Sequence, residues 1–212
     1  MEAFYGRAEN TPPINYLCRA LKSAVMSDQL SMFPYKTYEY FFLISPDAAV
    51  SEEVKKYRRL AAGMMQLPDR GATLPHLSLF TMETADIADY RILKQATKVL
   101  KSIAPFQIQL GGIDVFSHGA AKRSIVLKIE DPKPINALRS TLLEELELKQ
   151  GAFMPHITIL GNAPAVEIKK LAELEDFDYK GAFLCRSVTV LRKVKGEEAH
   201  YTWSREIDLG GF

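Results

Sequence analysis

Several things are scarce in this sequence, and each scarcity narrows what the chain can be. It has two cysteines in 212 residues, Cys18 and Cys185, far apart and in no CxxC pair. That argues against a disulfide framework and points to reduced thiols in a cytoplasmic protein. Neither sign of charge is in surplus: 27 Lys and Arg face 26 Asp and Glu, for a formal net charge of +1. A protein that grips a long duplex carries a basic excess or a basic stripe. The balance argues against an extended nucleic-acid surface and leaves room for a local cationic pocket around one phosphate. No apolar run reaches the roughly 18 residues that a membrane span needs. The opening residues include Glu2, Glu9, Pro12 and Pro13 ahead of any apolar stretch, a poor signal peptide. No membrane association is expected. Histidine is rare as well, with four in the chain and no HxH or HxxxH spacing. A metal site is not indicated, and no cofactor is expected.

What is present is an ordinary soluble composition with an ordered pattern. Hydrophobic residues make up 47% and charged residues 25%, enough apolar material for a sizeable core. Residues 1–36 read as an N-terminal extension in which Thr11-Pro12-Pro13 could open a short helix. From residue 37 the pattern sharpens. Tyr38–Ser45 reads as a strand, rich in aromatic residues and ending before Pro46. A helix follows from Ser51 to about Gln66, broken at Pro68 and Gly71. His76–Thr81 is a strand, Ile87–Ile103 a helix and Phe106–Phe116 a strand, and a loop at Ser117–Lys122 leads into strand Ser124–Glu130. The order then recurs: helix Pro134–Leu148, strand His156–Leu160, a helix from Pro164 to about Leu174, strand Phe183–Lys193 and a last strand His200–Leu209. This is a β-α-β-α-β unit used twice, with matched elements roughly 80 residues apart. Two copies are too few for a solenoid. The pattern predicts an α+β fold of two lobes related by a pseudo-twofold axis, with a central cleft.

The two central strands carry matching heptapeptides. Leu74-Pro75-His76-Leu77-Ser78-Leu79-Phe80 aligns with Met154-Pro155-His156-Ile157-Thr158-Ile159-Leu160. Side chains alternate along a strand, so His76 shares a face with Ser78, and His156 with Thr158. Leu77, Leu79, Ile157 and Ile159 face the other way. Brought together, two imidazoles and two hydroxyls suit displacement at phosphorus. One neutral imidazole takes a proton from the attacking water, and the opposite imidazolium gives one to the leaving oxygen. The hydroxyls donate to the non-bridging oxygens, where charge builds. A single buried histidine beside a threonine in a strand is usually structural. Two of them in matched heptapeptides of an internal repeat are read as a pair with a function.

Other candidates are weaker. Lys122 and Arg123, leaving a hairpin loop, could hold a phosphate or simply be solvated. Phe80, two residues beyond Ser78 and expected on the same face as His76, could stack a base or pack in the core. Tyr40, Phe116, Tyr201 and Trp203 are further aromatic candidates, while His118 and His200 read as surface or packing residues.

Two His-apolar-Ser/Thr-apolar motifs in a duplicated unit resemble the 2H phosphoesterase superfamily, and most of all its bacterial branch of 2′-5′ RNA ligase and RNA 2′,3′-cyclic phosphodiesterase proteins. The segments TYEYFFLISPD, FQIQLGGIDVF and SVTVLRK are similar to that branch too, and the likeness covers about residues 37–212. It implies a bilobal α+β fold with a cleft, metal-independent chemistry, and catalytic roles for His76, Ser78, His156 and Thr158. Two departures bear on substrate choice. Leu160, Gly161 and Asn162 follow the second motif where many relatives have a basic residue, and Thr81-Met82 follows the first without the usual glycine. The implied activity is hydrolysis of a 2′,3′-cyclic phosphate on a nucleotide or RNA end. Its rivals are reversible 2′-5′ RNA ligation and a nucleotide or RNA-end binding module without turnover.

Overall fold

The computed structural model describes residues 36–64, 74–85, 88–119, 122–149, 151–164 and 179–210. The expected helices near Pro12 and after Pro164 lie outside these. By its contacts the chain divides into Met1–Lys36 and Thr37–Phe212, and all the described helices and strands belong to the second unit.

The described elements run β1 (Thr37–Ile44), α1 (Ala48–Met64), β2 (Leu77–Ala85), α2 (Asp89–Lys101), β3 (Phe106–His118), β4 (Lys122–Ile129), α3 (Lys133–Glu145), β5 (His156–Pro164), β6 (Ala182–Cys185), β7 (Ser187–Val194) and β8 (Trp203–Asp208). Helix α1 starts three residues before the expected Ser51. The Asp47 carboxylate accepts a bond from the Val50 N–H at 2.9 Å and caps the helix there. Helix α2 has Asp89 in its first turn and Lys98 and Lys101 in its last, charges that complement its dipole. Proline stands in the first turn of α3, where its missing N–H costs nothing.

All eight strands join one antiparallel sheet in the order β6-β3-β4-β5-β2-β1-β7-β8. The order is a palindrome about the β5–β2 junction. The halves β6-β3-β4-β5 and β8-β7-β1-β2 are the two lobes, each taking one strand from the other sequence unit, β3 beside β4 and β7 beside β1, and the fold is α+β with pseudo-twofold symmetry. At the junction Leu77 pairs with Ile157. One hydrophobic core lies between the helices and one face of the sheet. It includes Tyr40, Phe42, Ile44, Leu77, Leu79, Ile157 and Ile159 from strands and Val54, Ala96 and Leu138 from helices.

The expected single strand Phe183–Lys193 is two. It divides at Arg186: β6 pairs with β3 at one edge of the sheet, and β7 pairs with β1 in the other half. A continuous β-rich run cannot register that its two ends serve different lobes. The last strand begins at Trp203, not His200, which is exposed.

Each half carries the same irregularity. In β1–β2, Phe42 pairs with Phe80 and Leu43 with Ser78, so Leu79 is an extra residue. In β4–β5, Ile125 pairs with Leu160 and Val126 with Thr158, so Ile159 is extra. Both motif strands therefore bulge one residue beyond the hydroxyl. Further shifts lie between Arg123 and Ile125 of β4 and between Leu110 and Ile113 of β3, where Gly112 sits at φ 83°, a conformation that glycine adopts without strain.

Candidate active site

Leu77 and Ile157 are wholly buried in the core, and Leu79 and Ile159 nearly so. Alternation then turns His76, Ser78, His156 and Thr158 to the opposite face of the sheet, as the sequence pattern required. Leu77 and Ile157 are paired antiparallel at the junction, and each histidine stands one residue before its strand's paired position. The two histidines become diagonal neighbours across the junction, a relation with a typical separation of about 7–8 Å.

The ring orientations match as well. His76 Nδ1 lies 2.9 Å from the Leu74 carbonyl oxygen, and His156 Nδ1 lies 2.8 Å from that of Met154. A carbonyl oxygen only accepts, so each Nδ1 carries a proton and donates it. Each Nε2 is left to exchange protons with a ligand. The intervening Pro75 and Pro155 are buried, and proline's fixed φ holds the carbonyl in line with the ring two residues on. Both imidazoles are half-buried.

Aromatic rings buttress both. Phe41 meets His76 edge-on, centroids 5.4 Å apart at 86°, and Tyr201 lies 5.9 Å beyond Phe41. Phe116 meets His156 at 4.8 Å and 70°. The Tyr201 hydroxyl donates to Glu39 Oε1 at 2.6 Å. Burial, and then the Glu39 carboxylate, raise its pKa above the ordinary phenol value. Lys193 lies 3.6 Å from the same carboxylate and 5.2 Å above the Tyr201 ring. Lys128 pairs directly with His156 and is exposed, so an ammonium stands on the His156 face of β4.

The other sequence candidates divide. Phe80 does not share the His76 face: its ring stacks on Phe42 at 4.5 Å and 18° and packs against the core. The bulge at Leu79 shifts the alternation by one residue, which the sequence pattern does not reveal. Tyr40 is fully buried and bonded through its hydroxyl to Asp89, and Trp203 packs under the Arg192 guanidinium at 4.7 Å. Both serve the packing beside α2. Of the four unranked aromatics, Phe116 and Tyr201 belong to the site. Arg123 donates to the Gly119 carbonyl at 2.8 Å and to that of Lys122 at 2.9 Å, within the same β3–β4 hairpin that supplies Phe116. Lys122 is exposed at its mouth. Phe41 and Lys128 were not singled out by the sequence. Their signal was register: Phe41 lies two residues before Leu43, the partner of Ser78. Among the described residues no group of three or more His, Cys, Asp or Glu gathers to hold a metal, and no helix is long and apolar enough to cross a membrane.

Comparison with known proteins agrees with this architecture. The sequence model of the family described as the 2′-5′ RNA ligase superfamily matches residues 46–197. No curated protein matches the sequence. Among solved structures, Escherichia coli LigT complexed with 3′-AMP is similar at 16% identity and TM-score 0.55, covering 82% of this chain and 96% of that one. TT0787 of Thermus thermophilus is similar at 18% identity and TM-score 0.56, covering 82% and 98%. Usb1 of Kluyveromyces marxianus is similar at 15% identity and TM-score 0.52, covering 82% and 99%. At these identities the likeness establishes the fold.

Proposed function

We propose, because the chain belongs to the 2′-5′ RNA ligase superfamily, that it is a metal-independent phosphoesterase acting on a 2′,3′-cyclic phosphate of a nucleotide or RNA end. The observation that carries this is the pair of imidazoles at the starts of two adjacent antiparallel strands, each donating through Nδ1 to the carbonyl two residues back. In this reading one Nε2 takes a proton from water as its oxygen attacks phosphorus. The other Nε2–H gives a proton to the ribose oxygen as its bond to phosphorus breaks. The product is a nucleoside or RNA-end phosphomonoester. Ser78 and Thr158 donate to the non-bridging oxygens, and Lys128 adds positive charge beside the His156 half. Phe41, Tyr201 and Phe116 wall the site with apolar surface suited to a ribose or base. In this reading Lys122 and Arg123, in the same hairpin, meet further phosphates. Escherichia coli LigT, of the same fold, has been crystallised with phosphate and with 3′-AMP, which supports a nucleotide phosphate as the ligand class.

The catalytic unit in this reading is 37–212, working in the cytoplasm, with 1–36 as an appendage. The family's description favours a second reading, 2′-5′ ligation, in which an RNA 5′-hydroxyl replaces water at the same centre. Two assays in excess chelator separate the readings. One follows opening of nucleoside 2′,3′-cyclic monophosphates, and the other joining of an RNA 2′,3′-cyclic phosphate end to a 5′-hydroxyl end. Turnover in the first supports the hydrolase. Turnover in the second alone supports the ligase. Binding without turnover in either would reduce the protein to a nucleotide-binding module. Activity lost on chelation and restored by manganese or zinc would overturn the metal-free mechanism.

A further inference from the structure

Two arginines outside the site hold the motif strands from behind, and each comes from the other repeat unit. Arg58 of α1 donates from Nε to the Ile159 carbonyl at 3.0 Å and from Nη2 to the Thr158 carbonyl at 3.2 Å. Arg139 of α3 donates from Nε to the Leu79 carbonyl at 3.0 Å. These carbonyls sit at the two bulges, where an extra residue leaves the ladder. Leu79 and Ile159 are almost fully buried, so water is a poor substitute partner. A guanidinium supplies strong, charge-assisted bonds there, and that of Arg58 forks across two carbonyls in a fixed plane. Arg139 is itself held, with the Phe153 ring 4.5 Å beneath its guanidinium.

The arrangement is crossed. Helix α1 links β1 to β2 in the chain, the unit of His76, yet its arginine grips β5, which carries His156, and the helix packs on that strand. Helix α3 links β4 to β5, the unit of His156, yet its arginine grips β2, which begins one residue after His76. Arg58 and Arg139 stand almost the same distance apart in sequence as the two histidines, so they belong to the repeat. Among the described residues β2 and β5 share a single backbone pair, Leu77 with Ile157. A joint that narrow leaves the relation of the histidines to other contacts.

We propose that Arg58 and Arg139 are positioning residues, crossed clamps that fix the bulges beyond His156 and His76 and so set the geometry between the two imidazoles. The proposal rests on reading the histidines as the reacting pair, but its first test does not use activity. Arg58→Lys and Arg139→Lys keep the charge and an N–H donor while losing the planar guanidinium. In NMR spectra of the full chain, Arg58→Lys should shift the imidazole signals of His156 and leave those of His76 nearly in place. Arg139→Lys should do the reverse. Equal shifts at both rings, or shifts confined to the variant helix's own unit, would overturn the crossed clamp. Should a lysine variant fail to fold, the unaltered protein still decides: the Nε–H of both arginines should exchange slowly with solvent. Exchange as fast as at a surface arginine would overturn the proposal. With a cyclic nucleotide as substrate, each lysine variant should lose about tenfold in kcat with KM within twofold. An unchanged kcat would reduce the arginines to structural bonds. Inactivity of the wild type would count against the proposed substrate and leave the imidazole shifts readable.

Discussion

Replacing His76 by asparagine separates the chemistry of the ring from its structural bond. The asparagine amide nitrogen reaches about as far as Nδ1 and can still donate to the Leu74 carbonyl, now 2.9 Å from the ring. Nothing occupies the place of Nε2. A positioned general acid or base contributes typically 10²–10⁴-fold, or about 3–5 kcal/mol of barrier at 1.36 kcal/mol per decade. His76→Asn should therefore lose two to four orders of magnitude in kcat, with KM little changed. Its stability should fall only by the lost Phe41 edge contact, about 0.5–1.5 kcal/mol, because the hydrogen bond, worth about 0.5–1.5 kcal/mol, is kept. His76→Ala should lose the same activity and about 1 kcal/mol of stability besides. The Phe41 edge contact at 5.4 Å also disappears in both variants, so their difference isolates the carbonyl bond. His156→Asn and His156→Ala should behave alike through Met154, and the double asparagine variant should be little worse than the worse single. Single-turnover opening of a nucleoside 2′,3′-cyclic monophosphate in chelator, paired with urea unfolding, measures both quantities. An asparagine variant keeping more than a tenth of wild-type kcat would falsify the assignment of Nε2 as the proton-transferring atom.

Three further outcomes test the surrounding structure. Phe41→Ala should slow turnover by up to about tenfold, the worth of one edge-to-face contact, whereas Phe80→Ala, stacked on Phe42, should lower stability by about 3 kcal/mol and leave KM alone; the reverse pattern in kinetics and urea melts would undo the assignment of faces. Gly210→Ala should destabilise by about 1–3 kcal/mol, since a Cβ there would collide with the Lys101 carbonyl oxygen, a backbone atom that cannot turn aside; an unchanged urea midpoint would contradict the close approach. Burial pushes the Cys185 thiol up to about 12, so from about pH 8.5 upward the unfolded chain releases this proton first and stability should fall as pH rises. Below that value the thiol is neutral in both states and adds no pH dependence. Mass spectrometry after alkylation at pH 8 should find Cys185 unmodified until denaturant is added, and ready labelling in the native protein would contradict its burial.

The sequence alone determined which residues face which way on the motif strands up to the hydroxyl. Period-two alternation is local, and Leu77 and Ile157 between polar neighbours leave one solution once a core exists. It also determined the repeat, since duplication writes the same pattern twice, and through the repeat the α+β class and the pseudo-twofold relation. Beyond Ser78 and Thr158 that reasoning failed. A bulge is a property of pairing between two strands, so only the registers of β1 with β2 and β4 with β5 could show that Phe80 turns to the core. The split of 183–193 at Arg186 failed in the same way, because strand propensity does not say which neighbour each end will find. The approach of Phe41 and Phe116, the lysine opposite His156 and the crossed arginines were likewise decided by tertiary structure. Each joins residues from different elements, across separations of up to about a hundred positions, and no local pattern encodes that meeting.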